Sequence, residues 1–185
     1  MSRDAMNYCV FDTALGPCGI LWSERGIAAV QLPEYSRDAT RDRLLHRHAG
    51  AEQATPPPTI AKAIAGIQAL LGGDRSVDFS GVPLDTDALP AFHRRVYGVI
   101  SRLKPGETMT YGAIASELDA GPDGDARAVG YALGKNPIPV IIPCHRVVAA
   151  NCKLGGFSAP GGRETKLKLL AIEGGAPDNR QPSLF

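Results

Sequence analysis

The sequence predicts an α+β protein in which a small antiparallel sheet is followed by a mostly helical second half. The chain opens with short segments rich in β-branched and aromatic residues, "YCVFDTA", "GILWSE" and "IAAVQL", separated by the turns "LGPCG" and "ERG". Such segments are typical of antiparallel strands. Further along, apolar residues recur at helical spacing, and two short helical patterns flank the glycine-rich "GPDG". That arrangement is typical of a helix-turn-helix.

Three more segments complete the first half. The polar, arginine-rich "YSRDATRDRLLHRHAGAEQATPPP" is interpreted as a solvated helix face, with phosphate binding by its basic residues as the alternative. "TIAKAIAGIQALLGG" predicts a helix whose apolar face carries Ile60, Ile64, Ile67 and Leu71. Residues 78–90 mix turn formers with one short strand signal, which predicts a linker.

The second half reads as a series of amphipathic helices. "AFHRRVYGVISRL" carries an apolar stripe and is ended by "KPGE". "TYGAIASELDA" and "DARAVGYALGKN" follow, with Asp125 as the expected N-cap and Gly134 as the expected stop of the second. In "GRETKLKLLAIEGG" we expect Leu167, Leu170 and Ile172 to face inward. The predicted domains are residues 1–85 and 86–175, with a disordered tail at 176–185.

Composition and charge limit the possible functions. With 185 residues, 44% hydrophobic and 21% charged, the chain has an ordinary globular balance. It offers neither a long uncharged apolar stretch nor a signal sequence, so we expect a soluble, cytoplasmic protein without membrane contact. The net charge of +1 divides unevenly, −2 over residues 1–85 and +3 over the remainder, which directs any polyanionic partner to the second half.

Cysteine usage indicates reduced thiols rather than a disulfide scaffold. The four cysteines are too few for such a scaffold in a chain of this length. No CxxC or HxxxH spacing is present, so we expect no metal site. Cys9, Cys18, His46 and His48 are the one combination that could converge on zinc, and their spacing gives little support.

The segment "IPVIIPCHRVV" holds the candidate chemistry, because Cys144 stands beside His145 and Arg146. A thiol attacks as the thiolate, so a nearby base or positive field must favour its ionisation. In an extended backbone consecutive side chains point to opposite faces. We therefore expect His145 to reach the sulfur through one water. The alternative is that Cys144 is simply a small buried hydrophobe.

A histidine acting as a base needs an acceptor on its second ring nitrogen to select the tautomer. Glu173, at the end of the last helix, is the predicted acceptor. The alternative is a surface glutamate, although a negative charge at a helix C-terminus is unfavourable without a partner.

The motifs "PCHRVV", "GKNPIP" and the distal "EGG" resemble the O6-alkylguanine-DNA alkyltransferases, the methylated-DNA–protein-cysteine methyltransferases. The resemblance extends through the second half, including "ARAVGYALGKNP" and "GGFSAPGG", and more loosely through "FDTALGPCGILW" and "PLD". It implies an RNase H-like N-terminal domain followed by a helix-turn-helix domain that holds a reactive thiol. It also implies direct reversal of DNA damage in a single turnover, by a monomer on double-stranded DNA containing alkylated guanine, without a cofactor.

The resemblance also implies roles for individual residues. Cys144 would accept the alkyl group, His145 would be the water-linked base and Glu173 its partner. Asn136 would hold the turn before the active site, and Tyr111 would donate to the guanine. Arg127 would enter the minor groove and fill the gap left by the flipped base. The remaining implied contacts are, for DNA, Ala126, Ala128, Gly130 and Tyr131, and for the substrate, Val147, Phe157 and Ser158.

Two features depart from the family pattern, and three other functions remain as alternatives. Tyr131 is bulky where many relatives have a small residue, and the loop "FSAPGGRETK" is slightly longer, so lesion size preference is not transferred. A lesion-binding module of the same fold would lack the thiol, and Cys144 counts against it. A cysteine hydrolase would not place nucleophile and base next to each other. An alkylation-sensing regulator would need a second DNA-binding domain.

Overall fold

The computed structural model describes residues 5–119, 125–150 and 153–175. The first half is built on a four-stranded sheet of order β3-β2-β1-β4. Its strands are β1 (Asn7–Thr13), β2 (Gly16–Ser23), β3 (Gly26–Gln31) and β4 (Glu52–Gln53). β1, β2 and β3 pair antiparallel as predicted, while the two-residue β4 runs parallel to β1.

The first hairpin is tighter than predicted. The expected turn "LGPCG" is mostly strand, because β2 already begins at Gly16. Thr13 closes the remaining turn, since its hydroxyl donates to the Gly16 carbonyl over 2.7 Å and accepts from the Leu15 amide over 3.2 Å. Side-chain hydrogen bonds of this kind allow a short connection between strands.

Both faces of the sheet are covered. Alternation along β2 sends Ile20 and Trp22 into the main core and Leu21 into a smaller cluster on the opposite face. Helix α1 (Arg37–Leu45) covers the smaller cluster through Leu44. Helix α2 (Pro58–Leu71) packs on the main core with the predicted face. Its four predicted apolar residues are all buried: Ile60, Ile64, Ile67 and Leu71.

The predicted linker is irregular and is held against the sheet. Ile27 pairs with Leu84 as an isolated bridge, and the Asp85 amide donates to the Ile27 carbonyl over 2.8 Å. The Asp85 carboxylate accepts from the Ser23 hydroxyl over 2.6 Å and pairs with Arg25 at 3.1 Å. These contacts seat the second half of the chain at the edge formed by β3.

The second half contains four helices and a two-stranded parallel sheet among its described residues. In chain order these are α3 (Ala91–Ile100), β5 (Met109–Thr110), α4 (Tyr111–Glu117), α5 (Ala126–Gly134), β6 (Val147–Val148) and α6 (Gly162–Ile172). Asp125 caps α5 as predicted, since its carboxylate accepts from the amides of Arg127 and Ala128 over 2.9 and 3.0 Å. α3 ends at Ile100, earlier than its apolar stripe suggested, although Leu103 still packs on the core.

The predicted inner face of α6 is wrong at Leu167. That side chain is 39% exposed, whereas Lys166, Leu169, Leu170 and Glu173 are buried. These four positions follow the i, i+3, i+4, i+7 pattern of one helix face. Two charged residues, Lys166 and Glu173, therefore share the buried face with Leu169 and Leu170, and both have partners in the site described below.

The two halves of the chain pack against each other. One apolar core joins residues of both halves, and the Val30 amide of β3 donates to the Pro137 carbonyl over 2.9 Å.

None of the helices in the described part of the chain has the length and apolarity to cross a membrane. The predicted "GPDG" turn and the predicted tail lie outside the described residues.

Candidate active site

The backbone around Cys144 is not extended, which corrects the expectation. Residues Cys144–Arg146 form a single turn of 3-10 helix, in which the Arg146 amide donates to the Pro143 carbonyl over 2.9 Å. The chain becomes extended at Val147, where β6 pairs with β5. This turn places the thiol, the imidazole and the guanidinium around one tight bend rather than on alternate faces of a strand.

Asn136 fixes the segment that leads into this turn. Its side-chain nitrogen donates to the Ile142 carbonyl over 2.8 Å, and its side-chain oxygen accepts from the Ile138 amide over 3.0 Å. The end of α5 and the residues before Cys144 are thus joined by one amide side chain. Within this segment the β-branched, buried Val140 adopts φ +75°, a strained conformation that such a close connection must hold in place.

Behind the thiol lies a fully enclosed cluster of charged groups. His145 Nε2 lies 2.8 Å from Glu173 Oε1, and both side chains are almost completely buried. Arg146 donates through Nε to Glu173 Oε2 over 2.9 Å and through Nη2 to Oε1 over 2.8 Å. The third guanidinium nitrogen, Nη1, donates to the Leu103 carbonyl. Such two-pronged pairing is the strongest form of arginine–carboxylate contact.

The electrostatics of this cluster select one histidine tautomer. Burial alone would raise the pKa of Glu173, but the hydrogen bonds and charges of His145 and Arg146 outweigh it and lower that pKa to about 2. Burial, only partly opposed by Glu173, lowers the pKa of His145, so the imidazole is neutral at pH 7. An ionised carboxylate can only accept hydrogen bonds, so Nε2 carries the proton. The lone pair is therefore on Nδ1.

That lone pair is available for chemistry. His145 Nδ1 is buried and has no hydrogen-bond partner among the described residues. Burial raises the pKa of Cys144, against the lowering effects of the Asn136 hydrogen bond and the Lys166 charge. The resting sulfur is therefore a thiol at neutral pH, and it needs a base before it can attack. A neutral imidazole with a free Nδ1 is such a base.

Cys144 lies at the floor of a cavity of about 770 Å³, which we call the groove-side cavity. Its walls come from α4, α5 and the loop before α6. The residues lining it are Thr110, Tyr111, Gly112, Ala126, Arg127, Gly130, Leu133, Gly134, Cys144, Ala149, Ala150, Gly156, Phe157 and Ser158. Arg127 is exposed and is the only charged side chain among the described residues of this lining. The cavity is large enough for a nucleobase and is open to a partner from outside.

Tyr111 forms part of the wall of the groove-side cavity. Its hydroxyl lies 3.5 Å from the Gly156 carbonyl. At Gly155, which has φ +70°, an added Cβ would come within 2.9 Å of that hydroxyl, so glycine is needed there for both backbone and space. Burial and the charge of Cys144 raise the pKa of Tyr111. The hydroxyl therefore stays protonated and can donate.

The predicted site residues are not all in one place. Seven line the groove-side cavity: Tyr111, Ala126, Arg127, Gly130, Cys144, Phe157 and Ser158. Asn136, His145, Val147 and Glu173 lie behind it and support the turn. Ala128 and Tyr131 lie outside the lining. Tyr131 is 64% exposed, meets the His93 ring edge-on and lies under the Lys135 ammonium, 5.5 Å from the ring centre.

No metal centre is formed by the described residues. No three histidine, cysteine, aspartate or glutamate side chains converge there, so Cys9, Cys18, His46 and His48 do not assemble a zinc site. Cys18 is fully buried in the sheet, and burial raises its pKa to about 11. It is a structural thiol.

Comparison with known proteins agrees with this geometry. Residues 91–175 match the family described as 6-O-methylguanine DNA methyltransferase, DNA binding domain. A methylated-DNA–protein-cysteine methyltransferase of Methanothermobacter thermautotrophicus is 34% identical over 84% of this chain and 78% of its own length. The chain belongs to the methylated-DNA–protein-cysteine methyltransferase family. A member from Shigella flexneri is 34% identical over 88% of this chain and 92% of its own.

The fold agrees with the same family. The crystal structure of Mycobacterium tuberculosis OGT in complex with DNA superimposes with a TM-score of 0.69 at 31% identity, covering 93% of this chain and 96% of that one. This methyltransferase is thus a mixed α+β protein of the same overall architecture, and the resemblance identified in the sequence is confirmed.

Sequence reasoning missed Lys166 of this methyltransferase. It is fully buried, and its ammonium donates to the carbonyls of Val147 and Gly156 over 2.5 and 3.1 Å. Burial lowers its pKa to about 8, with the charge of Cys144 opposing the change. The available signal was the spacing of Lys166 with Leu169, Leu170 and Glu173 on one face of α6. The ammonium joins β6 to the loop that walls the groove-side cavity.

Arg146 was identified as a source of positive field near the thiol, but its position is different. The guanidinium turns away from the groove-side cavity and holds both oxygens of Glu173. Gly106 adds its amide to Glu173 Oε2 over 3.4 Å. Arg146 therefore keeps the carboxylate charged and oriented, which leaves His145 as the adjacent residue that could act as a base for the sulfur.

Proposed function

We propose that this protein repairs O6-alkylguanine in duplex DNA by moving the alkyl group irreversibly onto Cys144. The observation that carries the proposal is the position of the thiol. It lines the groove-side cavity, and the next residue along the 3-10 turn carries a neutral imidazole held by a carboxylate. DNA repair by methyl transfer is the function shared with the family to which the chain belongs.

Delivery of the substrate requires that the base leave the helical stack. An alkyl group on guanine O6 is out of reach within the duplex, and flipping the nucleotide costs a few kcal/mol. We propose that α4 and α5 act as a helix-turn-helix, with α5 in the groove and Arg127 filling the space of the flipped base. Arg127 is exposed at the first turn of α5 and lines the cavity that would receive the base.

The chemical step is a single displacement at the alkyl carbon. His145 Nδ1 takes the thiol proton through one water, and the sulfur attacks the carbon attached to O6. The carbon–oxygen bond breaks, and its electron pair remains with the guanine. The protonated imidazole is stabilised by Glu173, and Tyr111 donates to the leaving base. Overall a thioether forms and the thiol proton replaces the alkyl group on guanine, so each molecule reacts once.

Recognition of the base would come from the groups nearest the sulfur. We propose that the Ser158 amide and the carbonyls of Cys144 and Val147 read the guanine edge, with Phe157 as an apolar wall. The Val147 carbonyl is held by Lys166, which supports a fixed orientation for it. O4-alkylthymine, which presents a similar alkyl oxygen, is a second proposed substrate. We also propose that residues 1–85 form an RNase H-like domain and that the protein acts as a monomer.

Intact-protein mass spectrometry tests this function directly. The protein is mixed with an excess of duplex DNA that contains one O6-methylguanine. The expected result is a mass gain of a single methyl group, mapped by peptide fragmentation to residue 144. Unmodified duplex is the control and should leave the mass unchanged. A modification at another residue, or catalytic turnover without protein modification, would refute the proposal.

Arg127→Ala tests the delivery step. We expect methyl transfer from duplex DNA to slow by about 10- to 100-fold, since loss of a few kcal/mol of support for the flipped state has that size. Reaction with a free O6-alkylguanine base should be nearly unchanged, because that base needs no extrusion. Rates come from quenched time courses under single-turnover conditions.

Arg94→Ala is the matched control, because Arg94 is also an exposed helical arginine but lies outside the groove-side cavity. It should leave both rates close to wild type. Equal losses on duplex and free base for Arg127→Ala would remove the proposed role in base flipping.

A further inference from the structure

A second cavity of about 230 Å³ lies between the two halves of the chain. Strand β3 and the end of α1 form one side, and the residues after α5 together with the loop before α6 form the other. We call it the interdomain cleft. It shares Gly134, Cys144, Phe157 and Ser158 with the groove-side cavity, so the two cavities are neighbours on either side of the thiol.

The charges around this cleft all have one sign. Arg43, Arg47 and Lys135 line it, and none of the described lining residues is an aspartate or glutamate. His48 also lines it, but burial and the charge of Arg47 lower its pKa, so it is neutral at pH 7. This imbalance is local, since residues 1–85 carry a net charge of −2. Arg43, Arg47 and Lys135 are exposed, so they can reach a partner. A surface of this kind attracts an anion.

Two arginines at the C-terminal end of α1 differ from those nearer its start: Arg43 in the last turn and Arg47, two residues beyond the helix. Arg37 pairs with Asp12, and Arg41 pairs with Asp38 and Asp42. Arg43 and Arg47, by contrast, form no ion pair or hydrogen bond within the described part of the chain, and both border the cleft. The end of the helix thus brings both side chains to the same cleft. These two arginines of the arginine-rich stretch are therefore available for an external anion.

The cleft borders the groove-side cavity at the C-terminal end of α5, the helix proposed to bind DNA. Gly134 lines both cavities, and no atom of the described residues lies within 4 Å of a Cβ built at that position. Lys135 follows α5, eight residues after Arg127, which corresponds to about 12 Å along a helix. That distance is close to four base-pair steps of about 3.4 Å. A duplex seated on α5 could therefore reach both groups of cations.

We propose that the interdomain cleft binds a phosphodiester segment of the same DNA, through Arg43, Arg47 and Lys135. The first half of the chain then adds backbone contacts to those of α5, which fix register and orientation without reading sequence. This inference rests on the proposed DNA repair function. It assigns to α1 a contact that neither the groove-side cavity nor the thiol chemistry requires.

The test is the salt dependence of DNA binding by the full chain. Fluorescence anisotropy with an undamaged labelled duplex is measured across a KCl series for wild type, R43Q, R47Q, K135Q and the triple variant. Each lost phosphate contact should lower the slope of log K against log [KCl] by about one unit. The triple variant should lose roughly two to three units. Thermal unfolding checks that the variants are folded.

R41Q is the matched control, because Arg41 lies on the same helix but is held by Asp38 and Asp42. It should keep the wild-type slope. An unchanged slope in the triple variant, or an equal loss in R41Q, would overturn the proposal. Transfer from a free O6-alkylguanine base is measured in parallel and should not change in any variant. The two proposals can fail separately. If the wild-type protein transfers no alkyl group but the triple variant still loses its salt slope, the repair function is refuted and DNA binding by the cleft is retained.

Discussion

Cys144→Ala is expected to abolish alkyl transfer completely while leaving DNA binding within about twofold of wild type. Among the described residues that line the groove-side cavity, Cys144 is the only thiol, whereas Arg127 and α5 carry the expected DNA contacts. Alanine removes only the sulfur atom from this side chain, which is 7% exposed. The loss is small, so the fold should tolerate the change. Mass spectrometry after incubation with O6-methylguanine DNA measures transfer, and anisotropy measures binding.

Cys9→Ser provides the matched control for thiol loss. Cys9 is a half-buried thiol on β1, and burial raises its pKa despite the nearby Arg37 charge. This variant should gain one methyl group at the wild-type rate. Methylation of the Cys144→Ala protein, or loss of transfer in Cys9→Ser, would show that the acceptor has been assigned to the wrong residue.

Glu173→Gln should have the second-largest effect, because it leaves two buried basic groups without their anion. The variant removes the charge that Arg146 and His145 share. Removing one partner of a buried ion pair typically costs about 3–5 kcal/mol of unfolding free energy. An amide can also donate to His145 Nε2, which would move the ring proton to Nδ1 and block it as a base. We therefore expect lower stability and, per folded molecule, a rate of transfer reduced by at least about tenfold.

The pH dependence of stability gives an independent measurement of the same carboxylate. Its pKa falls from an ordinary 4.5 to about 2 in the folded protein. Because the folded-state pKa is the lower one, the stabilisation is complete above about pH 4.5 and is lost as the pH falls toward 2. The shift corresponds to roughly 3 kcal/mol. Urea unfolding across this range should show the loss in wild type and a flatter profile in Glu173→Gln.

Glu164→Gln controls for the removal of a glutamate from α6. Glu164 is exposed and pairs only with Lys168, one turn away on the surface. Such pairs contribute little, so stability and transfer should match wild type within error. A Glu173→Gln protein with wild-type stability and an unchanged acid profile would mean that the buried cluster does not hold the active-site turn.

Local signals in the sequence predicted the regular elements well. The apolar face of α2 and the Asp125 cap of α5 were both correct, because periodicity and capping depend on residues only a few positions apart. The predicted position of the first hairpin turn was less accurate, because the Thr13 hydroxyl closes a shorter turn and β2 begins earlier than expected. The face of α6 was predicted from apolar residues alone, which left Lys166 out.

Within the candidate site, the sequence pointed to the thiol, the adjacent imidazole and a carboxylate at the end of α6. It predicted that Glu173 would hold His145, and the two side chains lie 2.8 Å apart, but it did not show where Arg146 and Lys166 lie. The contact between His145 and Glu173 spans 28 positions, and that between Arg146 and Leu103 spans 43. Side chains of Lys and Glu are normally placed in water unless a partner is known. Their burial therefore becomes visible only once the partners are placed.

By itself, the sequence determined the family and the order of the first three strands and the helices, and it pointed to Cys144 as the candidate nucleophile, because these follow from short motifs and from the periodicity of neighbouring residues. The tertiary structure decided that Cys144 starts a tight turn, that Arg146 holds Glu173 rather than facing the thiol, and that two cavities meet at the sulfur. It also placed Arg43 and Arg47 of the first half beside Lys135 of the second. The physical reason is that buried charges and shared cavities depend on contacts between distant segments, and no local pattern encodes which segments will meet.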